Sequence, residues 1–424
     1  MSQDSTLFRS PAYGWVIVVL AALAMVATLP GRTHGLGMIT ERLLEDSTLQ
    51  IDRQTFGEIN FWATLIGALF CIPAGWMLDR WGIRATLSIV VALLGFVVIG
   101  MTSAVGATAF AILITLTRGL GQSALSVVSI SMTGKWFRSR LPLATGLYSI
   151  LVSVGFTVAF LWGRSQRDLP WRTQWQGLGT FLLFGLTPLF LLLVRSAPDT
   201  PKFASEEASN QRLSEQSDYS VNEALATPAF WLFGFATSLY GLVSAGVSLF
   251  NESLLLERGF EKTAFYDLGM MTTGIGLASN LLTGLMATRI RITVLASLAM
   301  SLLSAALLGL PFVSTYPALV TYAVAMGCAG GMVTVLFFTI WAQLFGRTHL
   351  GRIQGIAQMM TVFASAVGPR VLADVKTRTG SYLPAIVCLG MIALIVAVAI
   401  SIVPLPKKEN EQTSNPVPEP ALGS

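Results

Sequence analysis

The sequence predicts an all-α integral membrane protein whose twelve transmembrane helices form two pseudo-symmetric bundles of six. Three observations predict it: a composition too apolar for a water-facing globule, recurrent apolar runs of helical length, and a repeat that relates the first half to the second. Apolar residues make up 53% of the 424 and charged residues 12%, about half the ~25% that soluble domains carry. Runs of about 20 apolar residues cross a ~30 Å hydrocarbon core as helix, and here they are separated by short polar breaks. A transmembrane barrel would instead show ~10-residue segments of alternating polarity.

The expected spans are residues 13–36, 55–78, 84–104, 108–133, 142–163, 177–194, 228–250, 265–288, 292–312, 316–342, 353–373 and 382–404. The polar lead-in before Tyr13 has no small-residue cleavage site behind a short apolar core, so the first run reads as a retained span with its N-terminus in the cytoplasm. Lys and Arg modestly favour the loops that this topology places inside. The expected location is the cell inner membrane, multi-pass, with both termini cytoplasmic.

Cys71, Cys328 and Cys388 fall within the expected spans, where a thiol behaves as a small apolar group. They suggest no disulfide, metal or cofactor framework. The net charge of +5 is dispersed over short loops, a pattern that sets topology rather than binds nucleic acid. The expected partners are a small-molecule substrate and the lipid bilayer, with the chain a monomer. The sequence holds no Walker-type phosphate loop for a primary pump and no filter-like run or charge ladder for a channel. Nothing in it suggests an enzyme.

Residues 195–227 turn polar and divide six spans from six. The expected organisation is an N-terminal bundle over 1–194, a cytoplasmic linker over 195–227, a C-terminal bundle over 228–404 and a disordered cytoplasmic tail over 405–424. Gly75 in GWMLDRWGIR aligns with Gly284 in GLMATRIRI, and Gly146 in WFRSRLPLATG aligns with Gly355 in LFGRTHLGRIQG at the same offset. A shared offset across two separate loops indicates an internal duplication. Repeated halves imply a binding site between them.

After the second span the chain reads GWMLDRWGIRATL. Gly75 permits close helix approach, Asp79 can accept hydrogen bonds from a neighbouring helix N-terminus, and Arg80 and Arg84 supply cytoplasmic positive charge. Together they could latch two helices; the two arginines read alternatively as plain positive-inside anchors. Gly75, Asp79, Arg80, Gly82 and Arg84 fill the pattern Gly-x-x-x-Asp-Arg-x-Gly-x-Arg, and in this the chain resembles the major facilitator superfamily. The resemblance implies the 6 + 6 fold, a cytoplasmic loop, a gating role for these five residues and transport by alternating access. In the second-half copy Thr288 stands where the acid would be.

TRGLGQSA resembles the family's fourth-span pattern through Arg118, Gly119, Gly121 and Gln122, while span five lacks the Gly-Pro pair of antiporters. YGWVIVVLAALAMVATLPGR and FWLFGFATSLYGLVSAG resemble the openings of the two halves of monocarboxylate and oxalate/formate-type carriers. That likeness implies a small organic anion as substrate. Arg32, two residues beyond Pro30, can fill the basic position those carriers place late in span one. Asn280 stands where they place an arginine in span eight.

Arg118 has about ten residues of span on each side, roughly 15 Å from either interface. A charge there costs about 2.5–3.5 kcal/mol on insertion scales, so it should face a cavity or a partner acid. It reads either as an anion or coupling residue or as half of a structural ion pair. Arg32 and His34 lie late in span one, and Asn251 and Glu252 lie late in its repeat counterpart, span seven. Arg32 could hold an anionic group, and His34, with Glu252 next in line, could carry a coupled proton. If the spans end sooner, these residues simply face outer water. Asn280, Gln354 and Gln358 could hydrogen-bond substrate or tie helices together. The residues as a set predict a proton-coupled symporter of a small organic anion. They leave open an exporter, a carrier of a neutral or larger solute, and a non-transporting sensor of the same fold.

Overall fold

The computed structural model describes residues 11–137, 140–166, 168–195, 218–261 and 264–406, so most of the expected linker and nearly all of the expected tail lie outside the described residues. The first half contains α1 (Pro11–Val26), a 3-10 turn (Leu29–Gly31), α2 (Thr33–Gly37), α3 (Thr40–Leu44), α4 (Arg53–Ala68) and α5 (Cys71–Met101). It continues with α6 (Gly106–Thr117), a π-helical segment (Arg118–Leu125), α7 (Ser126–Trp136), α8 (Leu141–Ser165), α9 (Trp171–Thr180), a second π segment (Phe181–Leu186) and α10 (Thr187–Leu193). The second half has α11 (Val221–Ala226), α12 (Pro228–Glu257), α13 (Ala264–Met286), α14 (Ile292–Gly309), a 3-10 turn (Leu310–Phe312), α15 (Tyr316–Phe345), α16 (Leu350–Thr379) and α17 (Leu383–Ile402).

Among the described residues, ten helical stretches are long and apolar enough to cross a membrane. One of them, Gln54–Met101, is 48 residues long and covers two expected spans. Gly82, at φ 79° and ψ 172°, is the non-helical residue within it, a backbone region essentially restricted to glycine. The loop expected between residues 78 and 84 is therefore a one-residue break. Helix α13 is not among the ten, because its Thr, Gly, Ser279 and Asn280 dilute the apolar content of a 23-residue helix.

Two further segments depart from the sequence reading. The first span is interrupted: α1 stops at Val26, and a 3-10 turn carries the chain to a restart at Thr33. Pro30 lacks an amide proton and its ring would clash with the Val26 carbonyl of a continuing helix. The end of the linker is folded, since Ser220 and Glu223 form a reciprocal capping box on α11 and Tyr219 is buried.

The packing repeats between the halves. In the first, α1 packs on α8, α4 on α6, and α5 on α9; in the second, α12 packs on α16, α13 on α15, and α14 on α17. Each pair occupies the same place in its repeat, so the duplicated sequence produces duplicated neighbours. Two seams join the halves, α4 and α5 against α16, and α8 against α13. At the first, a Cβ on Gly75 would lie 2.3 Å from the Gly351 carbonyl oxygen, and one on Gly355 would lie 2.6 Å from the Cys71 carbonyl oxygen. At the second, a Cβ on Gly284 would lie 2.8 Å from the Pro142 carbonyl oxygen and 3.5 Å from the Gly146 Cα. The four glycines aligned in the sequence thus meet as two crossings of bare backbone, Gly75 with Gly355 and Gly146 with Gly284.

Candidate functional site

The interrupted first span and the π segment meet. Gly31 leaves no room for a side chain beside the Thr117 carbonyl oxygen, where a Cβ would lie at 2.5 Å, and Gly119 packs likewise on the Phe70 ring at 2.7 Å. A π turn carries an extra residue and recurs at functional sites, and this one begins at Arg118. Small residues therefore bring the 3-10 turn and the end of α4 against the π segment around a buried guanidinium.

Arg118 is 3% exposed. Its Nη1 donates to Thr33 Oγ1 at 3.1 Å and Gln122 Oε1 at 2.8 Å, and its Nη2 donates to Asn60 Oδ1 at 2.8 Å. Nε is buried with no partner. Arg32, partly exposed, donates from Nε to Thr28 Oγ1 at 2.6 Å and from Nη2 to Met25 Sδ at 2.9 Å and Ser126 Oγ at 3.1 Å, with its guanidinium 5.6 Å from the Phe156 ring centre. The two arginines share one junction, since Arg32 reaches Ser126 immediately after the π segment and Arg118 reaches Thr33 immediately after Arg32. Among the described residues neither is paired with a carboxylate. Nearby, the buried hydroxyl of Tyr148 lies 2.8 Å from Ser129 Oγ, and its ring packs edge-on to Phe338 from the second half.

The other expected binding residues are not bonded to this pair. Asn251 is half-buried and Glu252 exposed on α12, with no side-chain partner among the described residues. Asn280 is buried with an unpartnered Oδ1 and lies at the Gly146–Gly284 crossing. Gln358 is buried on α16 without a bonded partner, one turn beyond Gln354. The backbone of His34 lies in α2, next to Thr33; its side chain lies outside the described residues. Asn60, which the sequence reading missed, gave the signal of a lone amide in an apolar span. Arg370, also missed, sits on α16 with its guanidinium 5.2 Å from the Phe61 ring centre on α4.

The glycine-aspartate loop builds a second constellation. Asp79, whose side chain is 4% exposed, accepts from Lys135 Nζ at 2.8 Å, from the backbone amides of Gly351 and Arg352 at 2.9 Å each, and from Arg352 Nε at 3.4 Å. The two amides belong to the first turn of α16, whose orphan N–H groups and positive dipole end favour a carboxylate. A residue of the first half thus caps a helix of the second. Arg80 and Arg84 are exposed, Arg80 with its guanidinium 5.4 Å from the Trp76 ring centre, and neither joins the cluster. Thr288, the repeat counterpart of Asp79, bonds only to its own helix through the Leu285 carbonyl. Lys135 and Arg352 are the partners that sequence reasoning did not find.

The chain entering the second half is tied to the same place. Asp218 accepts from the amides of Arg347 at 3.0 Å and Thr348 at 3.2 Å and from the Thr348 hydroxyl, and Tyr219 donates its amide to the Phe345 carbonyl. Burial alone would raise the Asp218 pKa, but these hydrogen bonds outweigh it and lower it. Toward the loop between α3 and α4, Asp46 accepts from Thr48, from Trp171 Nε1 at 3.0 Å and from Arg172 Nε at 3.0 Å. Arg172 also reaches the Ala104 carbonyl at 3.0 Å and the Thr102 carbonyl. Burial is again opposed by the donors, which hold the Asp46 carboxyl down at about 2.

Comparison with known proteins agrees with this architecture. A protein of Thermoproteus tenax described as an uncharacterized 38 kDa protein in the 23S RNA operon is 25% identical over 87% of this chain and 89% of its own length. Monocarboxylate transporter 2 of Mesocricetus auratus is 24% identical over 67% of this chain, which spans 62% of that protein. Among solved structures, the human organic anion transporter MFSD10 (TETRAN) is 16% identical with a TM-score of 0.63, and FucP in its outward conformation is 15% identical with a TM-score of 0.68. Both alignments cover 92% of this chain and 99% of the other. The sequence matches the Major Facilitator Superfamily over residues 12–369 and 268–421. The chain belongs to the Major Facilitator Superfamily.

Proposed function

We propose that this carrier is a secondary active transporter of a small organic anion, coupled to protons and working by alternating access. The observation that supports it is the pair of guanidiniums at Arg32 and Arg118, whose bonded partners are neutral. Charge buried in a membrane protein is costly unless it is compensated, and an anionic solute between the halves supplies the compensation. The likeness to a monocarboxylate transporter points the same way. A neutral solute is the second reading, favoured by Asn280 at the position where monocarboxylate carriers place an arginine.

In this reading the chain is a monomer of twelve spans: Gln54–Met101 is two of them, divided at Gly82, and α13 is another. The bundles run over 1–194 and 228–404 and are joined by a cytoplasmic linker over 195–227. The Asp79 end faces the cytoplasm of the inner membrane, as do both termini and the tail over 405–424. Asp79, Gly75 and Gly82 act in gating, with Arg80 and Arg84 setting charge at the membrane surface. His34 carries the proton, since it adjoins Thr33, which accepts directly from Arg118; Glu252 is its reserve. Asn251, Asn280 and Gln358 meet the solute once the halves move.

Uptake of labelled mono- and dicarboxylates into proteoliposomes, with and without an inward proton gradient, tests the proposal. Accumulation of a carboxylate that rises with the gradient is expected. Uptake of neutral sugars or amino acids with no carboxylate transported would overturn it.

A further inference from the structure

We infer that the site formed by Arg32 and Arg118 is built for a dianion, a small dicarboxylate held with one carboxylate on each guanidinium, rather than for a monocarboxylate. The inference rests on the anion reading above and deepens it.

Charge and donor counting carry it. Both guanidiniums are ionised donors with no acceptor capacity, they are linked to one junction through Ser126 and Thr33, and among the described residues no carboxylate pairs with either. A monoanion would balance one charge and leave its neighbour uncompensated. Each guanidinium has five N–H groups. Arg118 uses Nη1 for Thr33 and Gln122 and Nη2 for Asn60, which leaves Nε–H and one N–H of Nη2 uncommitted. Arg32 uses Nε for Thr28 and Nη2 for Met25 and Ser126, which leaves both N–H groups of Nη1. Each arginine thus keeps donors for one carboxylate: Arg118 offers N–H groups from two nitrogens, Nε and Nη2, while the two spare N–H groups of Arg32 diverge from the single Nη1 and give one charge-assisted bond to a carboxylate.

The surroundings fix the charges apart from each other. Thr28 and Met25 hold Arg32 on the interrupted first span, while Asn60 and Gln122 hold Arg118 on α4 and the π segment. The solute would therefore bridge two elements of one half, and its two acidic groups need a short spacer between them.

The test compares isosteric pairs of equal length and unequal charge on the purified full chain: malonate, succinate and glutarate against malonamate, succinamate and glutaramate, at pH 7.5. Binding is read by calorimetry and by thermal shift. The expected result is that one dicarboxylate binds at least about tenfold more tightly than its half-amide, the loss of one charge-assisted contact. In Arg32→Gln that ratio should fall to about one. Arg32→Lys, which retains charge without the fork, should keep a preference for the dianion with weaker binding, and it serves if Arg32→Gln does not fold. A half-amide that binds as tightly as its dicarboxylate, or a ratio unchanged in Arg32→Gln, overturns the dianion inference and leaves the anion reading standing. Binding of neither dicarboxylates, half-amides nor a monocarboxylate such as butyrate would bring down both.

Discussion

Replacing Asp79 with Asn keeps the shape of the side chain and removes the charge that joins the halves. The wild-type carboxylate takes four donors, Lys135 Nζ, two α16 amides and Arg352 Nε, and the side chain is 4% exposed. An asparagine presents one oxygen and one NH₂ group, so at least one pair of donors meets another donor. Charge-assisted hydrogen bonds are each worth about 1.5–3 kcal/mol, and breaking a buried charge cluster by removing one partner costs about 3–5 kcal/mol. A loss near 3 kcal/mol from the engaged state, against a disengaged state in which Asp79 is solvated, shifts the equilibrium by about 150-fold. The assay is a pair of spin labels across the α5–α16 seam, read as a distance distribution in nanodiscs. A wild-type population concentrated at the short distance should spread to longer ones in Asp79→Asn, with a fall in transport rate and little change in solute affinity. An unchanged distance distribution in a folded variant would refute the assignment of Asp79 as the lock.

Gly82→Ala should lower the unfolding temperature, because φ 79° with ψ 172° costs a residue bearing a Cβ about 1–3 kcal/mol; an unaltered melting curve would speak against strain at this break. Asp46→Asn should destabilise at neutral pH by about 1 kcal/mol after solvent screening. The folded carboxyl, at about 2, lies below its ordinary 3.8, so its contribution is full above pH ~4 and fades as pH falls toward 2; thermal unfolding from pH 7 to 3 tests this, and a difference from wild type that grows on acidification would contradict it. Arg118→Lys should weaken solute binding by about tenfold and Arg118→Gln by more, since the lysine keeps charge without the planar fork; titration calorimetry on samples of matched thermal stability separates this from misfolding. His34→Gln should abolish gradient-driven accumulation while leaving solute exchange intact, and accumulation that still follows the proton gradient would move coupling to another group.

The multi-span helical fold was legible in the sequence because lipid leaves few options: each apolar run must satisfy its backbone internally, and ~20 residues is the length that crosses. The duplication was legible too, and its four glycines proved to be the crossing points of both seams. Less visible was the break in the first span, where hydropathy runs on through Pro30 and Gly31 although the helix does not. The loop motif named Asp79 but not Lys135 or Arg352, since pairing across the halves depends on three-dimensional register, which one strand of text does not carry. In the same way Arg118 announced itself as a buried charge, while Asn60, one of two amides in a 16-residue helix, became significant only when its Oδ1 was seen to receive the guanidinium. Charge in an apolar run is a strong signal; the neutral groups that orient it are ordinary residues until the helices are packed.

The duplication is kept in backbone and broken in chemistry: both seams cross on glycine, but Asp79 has a threonine as its counterpart, and Thr288 turns back to its own helix. A twofold machine would ordinarily carry each part twice and tolerate damage to one copy. Here, among the described residues, the ionic fastening of one half to the other at this end depends on a single carboxylate, beside one bond from Arg347 Nη1 to the Lys135 carbonyl at 2.9 Å, and across the other seam the halves share a hydroxyl pair, Thr145 with Thr339 at 3.2 Å. One consequence is fragility, since a single base change at codon 79 reaches a function that the repeat does not back up. The other is directionality: a body held by a charged cluster along one edge and by a neutral hydroxyl pair along the other separates by swinging, so the two seams should part in sequence rather than together.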